Sequence, residues 1–150
     1  MNIGKYCSHN VITAQKESSI YEAAQLMRRH HIGVLVIVTG NSDGNRPVGI
    51  ITDRDIVMEV IAEQIPLDAV TIEDVMTRSP LVGREDDDIF STMEIMREKG
   101  IRRLPVIDSL GLLTGILTTD DLLQVIYEEM GNIISLITRE QMQELKKRGR

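Results

Sequence analysis

The sequence predicts an α/β (α+β) fold of two β-α-β-β-α units packed about a pseudo-twofold axis, followed by a C-terminal helix. The main observation is an internal repeat, in which residues 7–35 match 76–104 at a spacing of 69, and residues 49–55 match 115–121 at a spacing of 66. The spacing changes within residues 39–47, whose Gly, Asn, Ser and Asp residues indicate a turn that tolerates insertion. Because so short a unit buries little surface alone, the two units are expected to pack together.

The first unit covers residues 5–64 and starts with a short extended segment at residues 11–14. A helix is expected after Ser19, because Ser19 and Glu22 have the spacing of a capping box and apolar residues follow at helical spacing. The uninterrupted apolar run Val34–Val38, β-branched at every position but Leu35, then predicts a strand that is buried on both faces.

The rest of the first unit is a strand and a helix. A turn at residues 41–46 leads to a strand at residues 48–51, and residues 53–63 form the helix. The predicted apolar stripe of this helix consists of Ile56, Val57, Val60 and Ile61. Residues 65–74 form a linker, and a short helix at residues 72–76 leads into the second unit.

The second unit, residues 75–130, repeats this order of elements. Its predicted elements are a helix at residues 89–99 capped by Asp88, strands at residues 104–107 and 112–117, and a helix at residues 120–130. Residues 131–150 are expected to form a helical tail that belongs to neither unit.

Each unit contains the same corner, read as glycine, two apolar residues, threonine, two polar residues and aspartate, at Gly49–Asp55 and Gly115–Asp121. A strand that passes directly into a helix here places a hydroxyl and a carboxylate at a helix N-terminus, beside unpaired backbone N–H groups. The same residues also have the spacing of a capping box, with threonine as the N-cap. A helix cap and a ligand-binding corner are therefore both open, and the two are compatible.

The composition excludes several classes of protein. Hydrophobic residues make up 42% and charged residues 27% of the 150 residues, as in globular proteins. The net charge of -6 and the aromatic content of 3% make nucleic-acid binding an unfavourable hypothesis. No apolar run approaches the ~18 residues that a membrane span needs, and no signal peptide is evident, so we expect a cytoplasmic protein.

Catalytic and metal-binding patterns are weak. No Ser/His/Asp or Cys/His arrangement, zinc spacing or phosphate-binding Gly-rich loop is present, so an enzyme is not predicted. His30 and His31 are expected to complement a helix dipole rather than bind a metal, and Asp86–Asp88 is expected to be an acidic helix start. The single cysteine, Cys7, aligns with Met76 and is expected to be buried.

Taken together, these motifs resemble the CBS domain pair, also called the Bateman module. The resemblance is carried by the two Gly–apolar–apolar–Thr-x-x-Asp corners, by Val75-Met76-Thr77, and by the segment Ile101–Asp108, and it covers residues 5–130. It implies a regulatory binding module for an adenosyl ligand: AMP, ADP or ATP, with S-adenosylmethionine and NAD as alternatives. It also implies a homodimer formed through the CBS units and an effector protein that is a separate chain. A scaffold that oligomerises without a ligand is the alternative function.

The resemblance also implies which residues bind the ligand. The ribose is expected at Thr52 with Asp55, and at Thr118 with Asp121. The phosphate is expected at Arg103 and Arg102, with Arg54 as a further candidate. Adenine is expected at Ile12, Thr13, Ala14 and Ile32 in the first unit, and at Leu81, Val82, Gly83 and Ile101 in the second.

The two corners differ in what surrounds them. The first unit has Gly33 and Val34 where the second has Arg102 and Arg103, so only the second offers an arginine pair. The simpler interpretation of this pair is a solvated strand edge or an ion pair with Asp87 or Asp88. We nevertheless expect Thr118 and Asp121 to mark the first occupied site.

Overall fold

The computed structural model describes residues 1–149, except for the side chain of Asn41, and shows two sheets flanked by helices. The first part of the chain contains α1 (Ile3–Tyr6), β1 (Thr13–Ala14), α2 (Ile20–His30), β2 (Val34–Asn41), β3 (Gly44–Thr52) and α3 (Asp53–Ile56), which continues as a π-helical segment (Val57–Ile61). The remainder contains α4 (Ile72–Val75), β4 (Thr77–Arg78), β5 (Gly83–Arg84), α5 (Ile89–Lys99), β6 (Arg103–Ile107), β7 (Leu113–Thr118) and α6 (Thr119–Arg148). The predicted mixed α/β fold with two similar units is confirmed.

The two sheets are built alike. Strand order is β1-β2-β3-β4 in the first sheet and β5-β6-β7 in the second. In both, the leading strand runs parallel to the next one, which forms an antiparallel hairpin with its successor. Both hairpins carry a bulge at the equivalent place, between Ile37 and Val38 and between Val106 and Ile107. The first hairpin turns more tightly than expected, because Asn41 pairs directly with Gly44.

Strand β2 is buried on both faces, as its β-branched sequence predicts. Leu35 and Ile37 lie in the core of the first unit. The alternate residues Val36 and Val38 lie in a separate apolar cluster with Ile116 of β7, and this cluster joins the two units. Successive side chains of a strand point to opposite faces, so one strand serves both contacts.

The short lead-in helices are exchanged between the units. Ile3 of α1 and the following Cys7 are buried in the core of the second unit, although they lie at the start of the first repeat along the chain. Ile72 of α4 and the following Met76 are buried in the core of the first unit, although they lie at the start of the second repeat. Strand β4 accordingly pairs with β3. Each hydrophobic core is therefore built from most of one repeat together with the lead-in helix of the other.

The predicted stripe of the helix after the first corner is only half right. Ile56 and Val60 are buried, but Val57 and Ile61 are 50% and 58% exposed. The helix continues as a π-helical segment from Val57, in which the N–H of Ala62 donates to the carbonyl of Val57. Val57 and Ile61 follow the buried positions by one residue each, so they are rotated away from the sheet.

The predicted tail is not a separate element. Helix α6 runs without a break through Gly131 to Arg148, because a single exposed glycine weakens a helix by only about 1 kcal/mol and no proline follows. The predicted boundary at residue 131 has no structural counterpart in this helix. Arg150 lies outside the described residues.

Cys7 is buried as predicted, and its thiol donates to the carbonyl of Gly4 at 3.7 Å. Burial, followed by the negative charge of Asp121, raises the pKa of this thiol from 9.0 to about 11. As pH rises above 9.0, the unfolded chain therefore loses this proton before the folded chain does. We expect this contribution to the free energy of unfolding to fall between pH 9.0 and about 11.

The check is the pH dependence of chemical unfolding for the natural chain and for Cys7→Ala. Because lysines and tyrosines titrate in the same range, the quantity that matters is the difference between the two slopes. The natural chain should lose stability more steeply with rising pH. Equal slopes for the two proteins would contradict the assignment to Cys7.

Candidate ligand-binding site

The second corner joins β7 to α6 and is held by Thr118 and Asp121. The N–H and hydroxyl of Thr118 donate to Oδ2 of Asp121 at 2.8 and 2.9 Å, and the N–H of Asp121 donates to Oγ1 of Thr118 at 3.3 Å. Both side chains are half-buried. The predicted capping box is present, and part of each side chain remains accessible for a ligand.

The first corner has nearly the same geometry. The N–H of Thr52 donates to Oδ2 of Asp55 at 2.9 Å, and the N–H of Asp55 donates to Oγ1 of Thr52 at 3.1 Å. These two residues also are half-buried. The two corners therefore place a hydroxyl and a carboxylate in equivalent positions of the two units.

A third Thr-x-x-Asp box shows what capping alone requires. Thr71 and Asp74 form a similar box at the start of α4, where the N–H and the hydroxyl of Thr71 donate to Oδ2 of Asp74 at 2.9 and 3.3 Å. This box does not follow a strand of the sheets, and the cations beside it, Lys16 and Arg78, are paired with Glu73. Hydrogen bonding within a box is thus explained by capping, and only its surroundings can indicate a ligand.

The surroundings of the second corner form a polar recess. Arg103 begins β6 and pairs with Thr118 across the hairpin. The recess, of about 140 Å³, is lined by Arg102, Arg103, Thr118, Thr119 and Asp120. This is smaller than the roughly 300–1,000 Å³ of most small-molecule sites, so it would hold only a part of a nucleotide.

The next question is whether Arg102 and Arg103 form ion pairs within the protein. Among the described residues, neither Arg102 nor Arg103 lies within ion-pair distance of a carboxylate. The alternative with Asp87 or Asp88 is not formed, because Asp87 accepts from the N–H of Arg84 at 2.8 Å. Asp88 caps α5 and lies 3.6 Å from the terminal amine of Met1, and the N–H groups of Ser91 and Phe90 help to lower its pKa.

The first corner carries the opposite charge at this place. The N–H of Asp53 donates to the carbonyl of Gly33 at 2.9 Å, as the N–H of Thr119 does to Arg102 at 3.0 Å. A Cβ atom on Gly33 would lie 2.7 Å from Oδ2 of Asp53. A carboxylate thus lies where the second unit has a hydroxyl and an arginine. Arg54 is exposed, and its backbone N–H donates to Oδ1 of Asp53 at 2.8 Å.

The predicted adenine residues lie on or just before the leading strand of each sheet, or just before the strand that pairs with it. In the first, Thr13 pairs with Val36, and the carbonyl of Ile12 accepts from the N–H of Val36 at 3.3 Å, which brings this strand near Val34 and its partner Thr52. Residues of this set with accessible side-chain surface are Ile12, Thr13, Ile32, Leu81, Val82 and Ile101.

Two members of the predicted adenine set face inward instead. Ala14 is packed in the core of the first unit. Gly83 is buried, and a Cβ atom there would lie 2.6 Å from Ile3 and 2.8 Å from Leu104. Any ligand contact at Ala14 or Gly83 would therefore have to be made by the backbone.

Sequence reasoning missed two residues of these corners, Thr119 and Asp53. They occupy equivalent positions directly after the repeated threonine in each copy, so alignment of the two copies indicates both positions. Across residues 1–149, no three His, Cys, Asp or Glu side chains are grouped so that they could hold a metal ion. None of the helices described, α6 included, combines the length and hydropathy needed to span a bilayer.

Comparison with known proteins gives the family. The CBS domain family matches residues 3–62 and 72–128. An uncharacterised protein of Methanopyrus kandleri is 38% identical over 125 residues, which are 83% of this chain and 62% of that protein. The chain thus spans less than two thirds of the length of this relative.

Two solved structures share the fold over most of the chain. A putative signal-transduction protein with CBS domains from Burkholderia ambifaria has a TM-score of 0.74 and 26% identity, covering 84% of this chain and 93% of that one. A CBS domain pair in complex with 5′-methylthioadenosine and S-adenosyl-L-methionine has a TM-score of 0.73 and 31% identity, covering 86% and 98%. The resemblance predicted from the sequence is confirmed: this chain belongs to the CBS domain family and contains two CBS domains.

Proposed function

We propose that the protein is a cytoplasmic regulatory module that binds an adenosyl ligand and signals to a separate effector protein. The observation that carries the proposal is the recess beside Thr118 and Asp121, where Arg102 and Arg103 have no carboxylate partner among the described residues. Unpaired guanidinium groups in a protein of net charge -6 are suited to chelate phosphate oxygens. The solved relative that holds two adenosyl compounds supports this ligand class.

In the second unit, we assign the ribose hydroxyls to Thr118 and Asp121 and the phosphate to Arg103 and Arg102. A carboxylate accepts hydrogen bonds from two neighbouring hydroxyls, whereas a guanidinium donates to phosphate oxygens. Adenine is assigned to the apolar residues of the neighbouring strands, which are Leu81, Val82 and Ile101, with the backbone of Gly83. AMP, ADP and ATP are the ligands that fit this charge, with NAD as an alternative.

In the first unit, Thr52 and Asp55 would bind the ribose in the same way. Asp53 gives this corner a negative charge where a phosphate would lie, and Arg54 is exposed beside it. An uncharged or cationic adenosyl ligand, such as S-adenosylmethionine with its sulfonium, therefore suits this corner better than a nucleotide. Adenine would contact Ile12, Thr13 and Ile32, with the backbone of Ala14.

The phosphate assignment is tested with Arg103→Ala. Loss of a charge-assisted contact of about 2 kcal/mol should raise the Kd for AMP roughly thirtyfold. The Kd for adenosine, which has no phosphate, should stay within about twofold, since no such contact is lost. Titration calorimetry with the two ligands measures both.

Arg78→Ala is the matched control, because its guanidinium lies outside the recess and contacts Glu73 at 3.2 Å. It should leave both affinities unchanged. An equal loss of AMP and adenosine binding in Arg103→Ala would show that Arg103 supports the structure rather than the phosphate.

Signalling requires two states of the protein with different affinities for the ligand. We propose that these states differ in the packing between the CBS units or between the subunits of a homodimer formed through the units. Exposed apolar side chains on the helices of both units support such a contact: Tyr21, Val57, Met58, Ile61, Phe90 and Ile95. A surface of this kind is typical of protein interfaces.

The second candidate function is a scaffold that oligomerises without a ligand. It is favoured by the complete capping boxes of both corners, which need no ligand to satisfy their hydrogen bonds. Mass spectrometry of small molecules retained by the purified protein separates the two functions. An adenosyl compound at stoichiometric amounts is expected, whereas a ligand-free protein that also binds no added adenosyl compound would favour the scaffold.

We propose no catalytic activity for the chain. The carboxylates of the two corners are engaged in capping, and this arrangement explains them without a reaction. Hydrolysis of ATP by the purified protein that is lost in Asp121→Asn would contradict this part of the proposal.

A further inference from the structure

The second half of α6 has no neighbour in its own chain. Leu122 and Val125 bury the first half against the second unit, but every residue from 130 to 149 is exposed. Residues 131–148 extend about 27 Å beyond the unit at 1.5 Å per residue. A helix of this length is marginally stable on its own in water, so a partner is expected to stabilise it.

One continuous apolar seam follows α6 from its attached half into its projecting half. The spacing is three, four, three and four residues, which is the heptad pattern of a two-stranded coiled coil. Its members are Leu123, Ile126, Met130, Ile133 and Ile137, with exposed fractions between 39% and 62%. Tyr127 and Ile134 flank it, and Glu140 and Glu144 end it at the next two seam positions.

We propose that this seam binds the same seam of a second copy of the chain, in the antiparallel direction. A twofold axis between Gly131 and Asn132 would place Ile126 opposite Ile137 and Met130 opposite Ile133. Each of these contacts then occurs twice in the dimer, once on each side of the axis, as a closed symmetric interface requires. The projecting half of one copy covers the attached half of the other. A straight helix cannot fold back to cover its own apolar face.

The charges along α6 favour this direction. Its attached half carries Asp120, Asp121, Glu128 and Glu129, and its last turn carries Lys146, Lys147 and Arg148. An antiparallel pair about this axis sets Lys146 about one helical turn from Asp120 and Asp121 of the other copy, and it opposes the helix dipoles. A parallel pair would place like charges together. The acidic residues that flank the seam also disfavour an anionic membrane surface as the partner.

Crosslinking tests the direction and register in a Cys7→Ala background. A mixture of Met130→Cys and Ile133→Cys should be joined by a short bismaleimide, because these positions lie opposite each other next to the axis. Ile137→Cys alone should not be joined, whereas a mixture of Ile126→Cys and Ile137→Cys should be. Efficient joining of Ile137→Cys to itself would show a parallel pair and overturn the antiparallel register.

Sedimentation equilibrium of the full chain tests the contact itself. Ile133→Glu should raise the dissociation constant of the dimer at least tenfold. Leu136→Glu is the matched control: Leu136 is 66% exposed and Ile133 61%, but Leu136 lies off the seam on the same helix. Its dissociation constant should stay within twofold of the natural chain.

Equal dissociation constants for both variants and the natural chain would overturn the proposal, as would a natural chain that is monomeric at all concentrations. Binding of a monomeric chain to anionic vesicles through Ile133 would also overturn it, in favour of a membrane surface. None of these outcomes depends on adenosyl binding, which is measured separately.

Discussion

Asp121→Ala is expected to raise the Kd of the protein for AMP roughly a hundredfold. The substitution removes the carboxylate that we assign to the ribose hydroxyls, and hydrogen bonds to a charged group contribute about 1.5–3 kcal/mol each. It also removes the acidic member of a capping box, which costs about 1 kcal/mol of stability. Titration calorimetry and thermal unfolding measure these two losses separately.

The third box supplies a matched control for this experiment. Asp74→Ala removes the same type of cap, since Asp74 accepts from the N–H of Thr71 at 2.9 Å and Asp121 from that of Thr118 at 2.8 Å. It should lower stability by a similar amount and leave the Kd for AMP unchanged. If both variants lost only stability, Thr118 and Asp121 would be a cap, and the scaffold function would be favoured.

Ile72→Ala is expected to lower the free energy of unfolding by about 2–5 kcal/mol. Ile72 is fully buried in the core of the first unit, although it precedes the second unit in the chain. The exchange of lead-in helices links the two cores, so the substitution should destabilise both of them. Hydrogen exchange of β2 in the first unit and β6 in the second should therefore accelerate together.

The control is Leu67→Ala, which truncates an exposed apolar side chain of the linker region and should change stability by less than about 0.5 kcal/mol. Ile3→Ala makes the reciprocal change, because Ile3 is buried in the core of the second unit. If Ile72→Ala destabilised β2 while β6 kept its protection, the two units would be independent and the exchange would have no energetic consequence.

Much of the fold follows from local patterns in the sequence. The repeat predicts two similar units, and the helix at Ile89–Lys99 agrees in both bounds because Asp88 caps it and Gly100 ends it. The run from Val34 predicts a strand buried on both faces, since it has no polar residue to point outward. Local signals of this kind act within a few residues, so they can be read without the tertiary structure.

The exchange of lead-in helices could not be predicted in the same way. The pattern around Ile3 and that around Ile72 show that each is apolar, but not which of two similar cores it enters. The choice depends on the direction in which the chain leaves the preceding unit. The unbroken α6 was missed for a different reason, because Gly131 and the repeat boundary coincide and suggested an end that the helix does not have.

The sequence predicts where the two corners lie, but not the charge that surrounds each of them. The residue after each threonine decides what lies beside Gly33 or Arg102, and the pattern leaves that position open. Only the structure shows Oδ2 of Asp53 at 2.7 Å from the position of a Cβ atom on Gly33. The roles of Thr52, Asp55, Thr118 and Asp121 in ligand binding remain predictions.

Isothermal titration of the purified chain with AMP, ATP, S-adenosylmethionine and NAD tests the central claim most directly. The proposed function predicts saturable heat with at least one of these ligands at or below millimolar concentration, together with a rise in Tm. The absence of both heat and a melting shift with all four at millimolar concentration would contradict it.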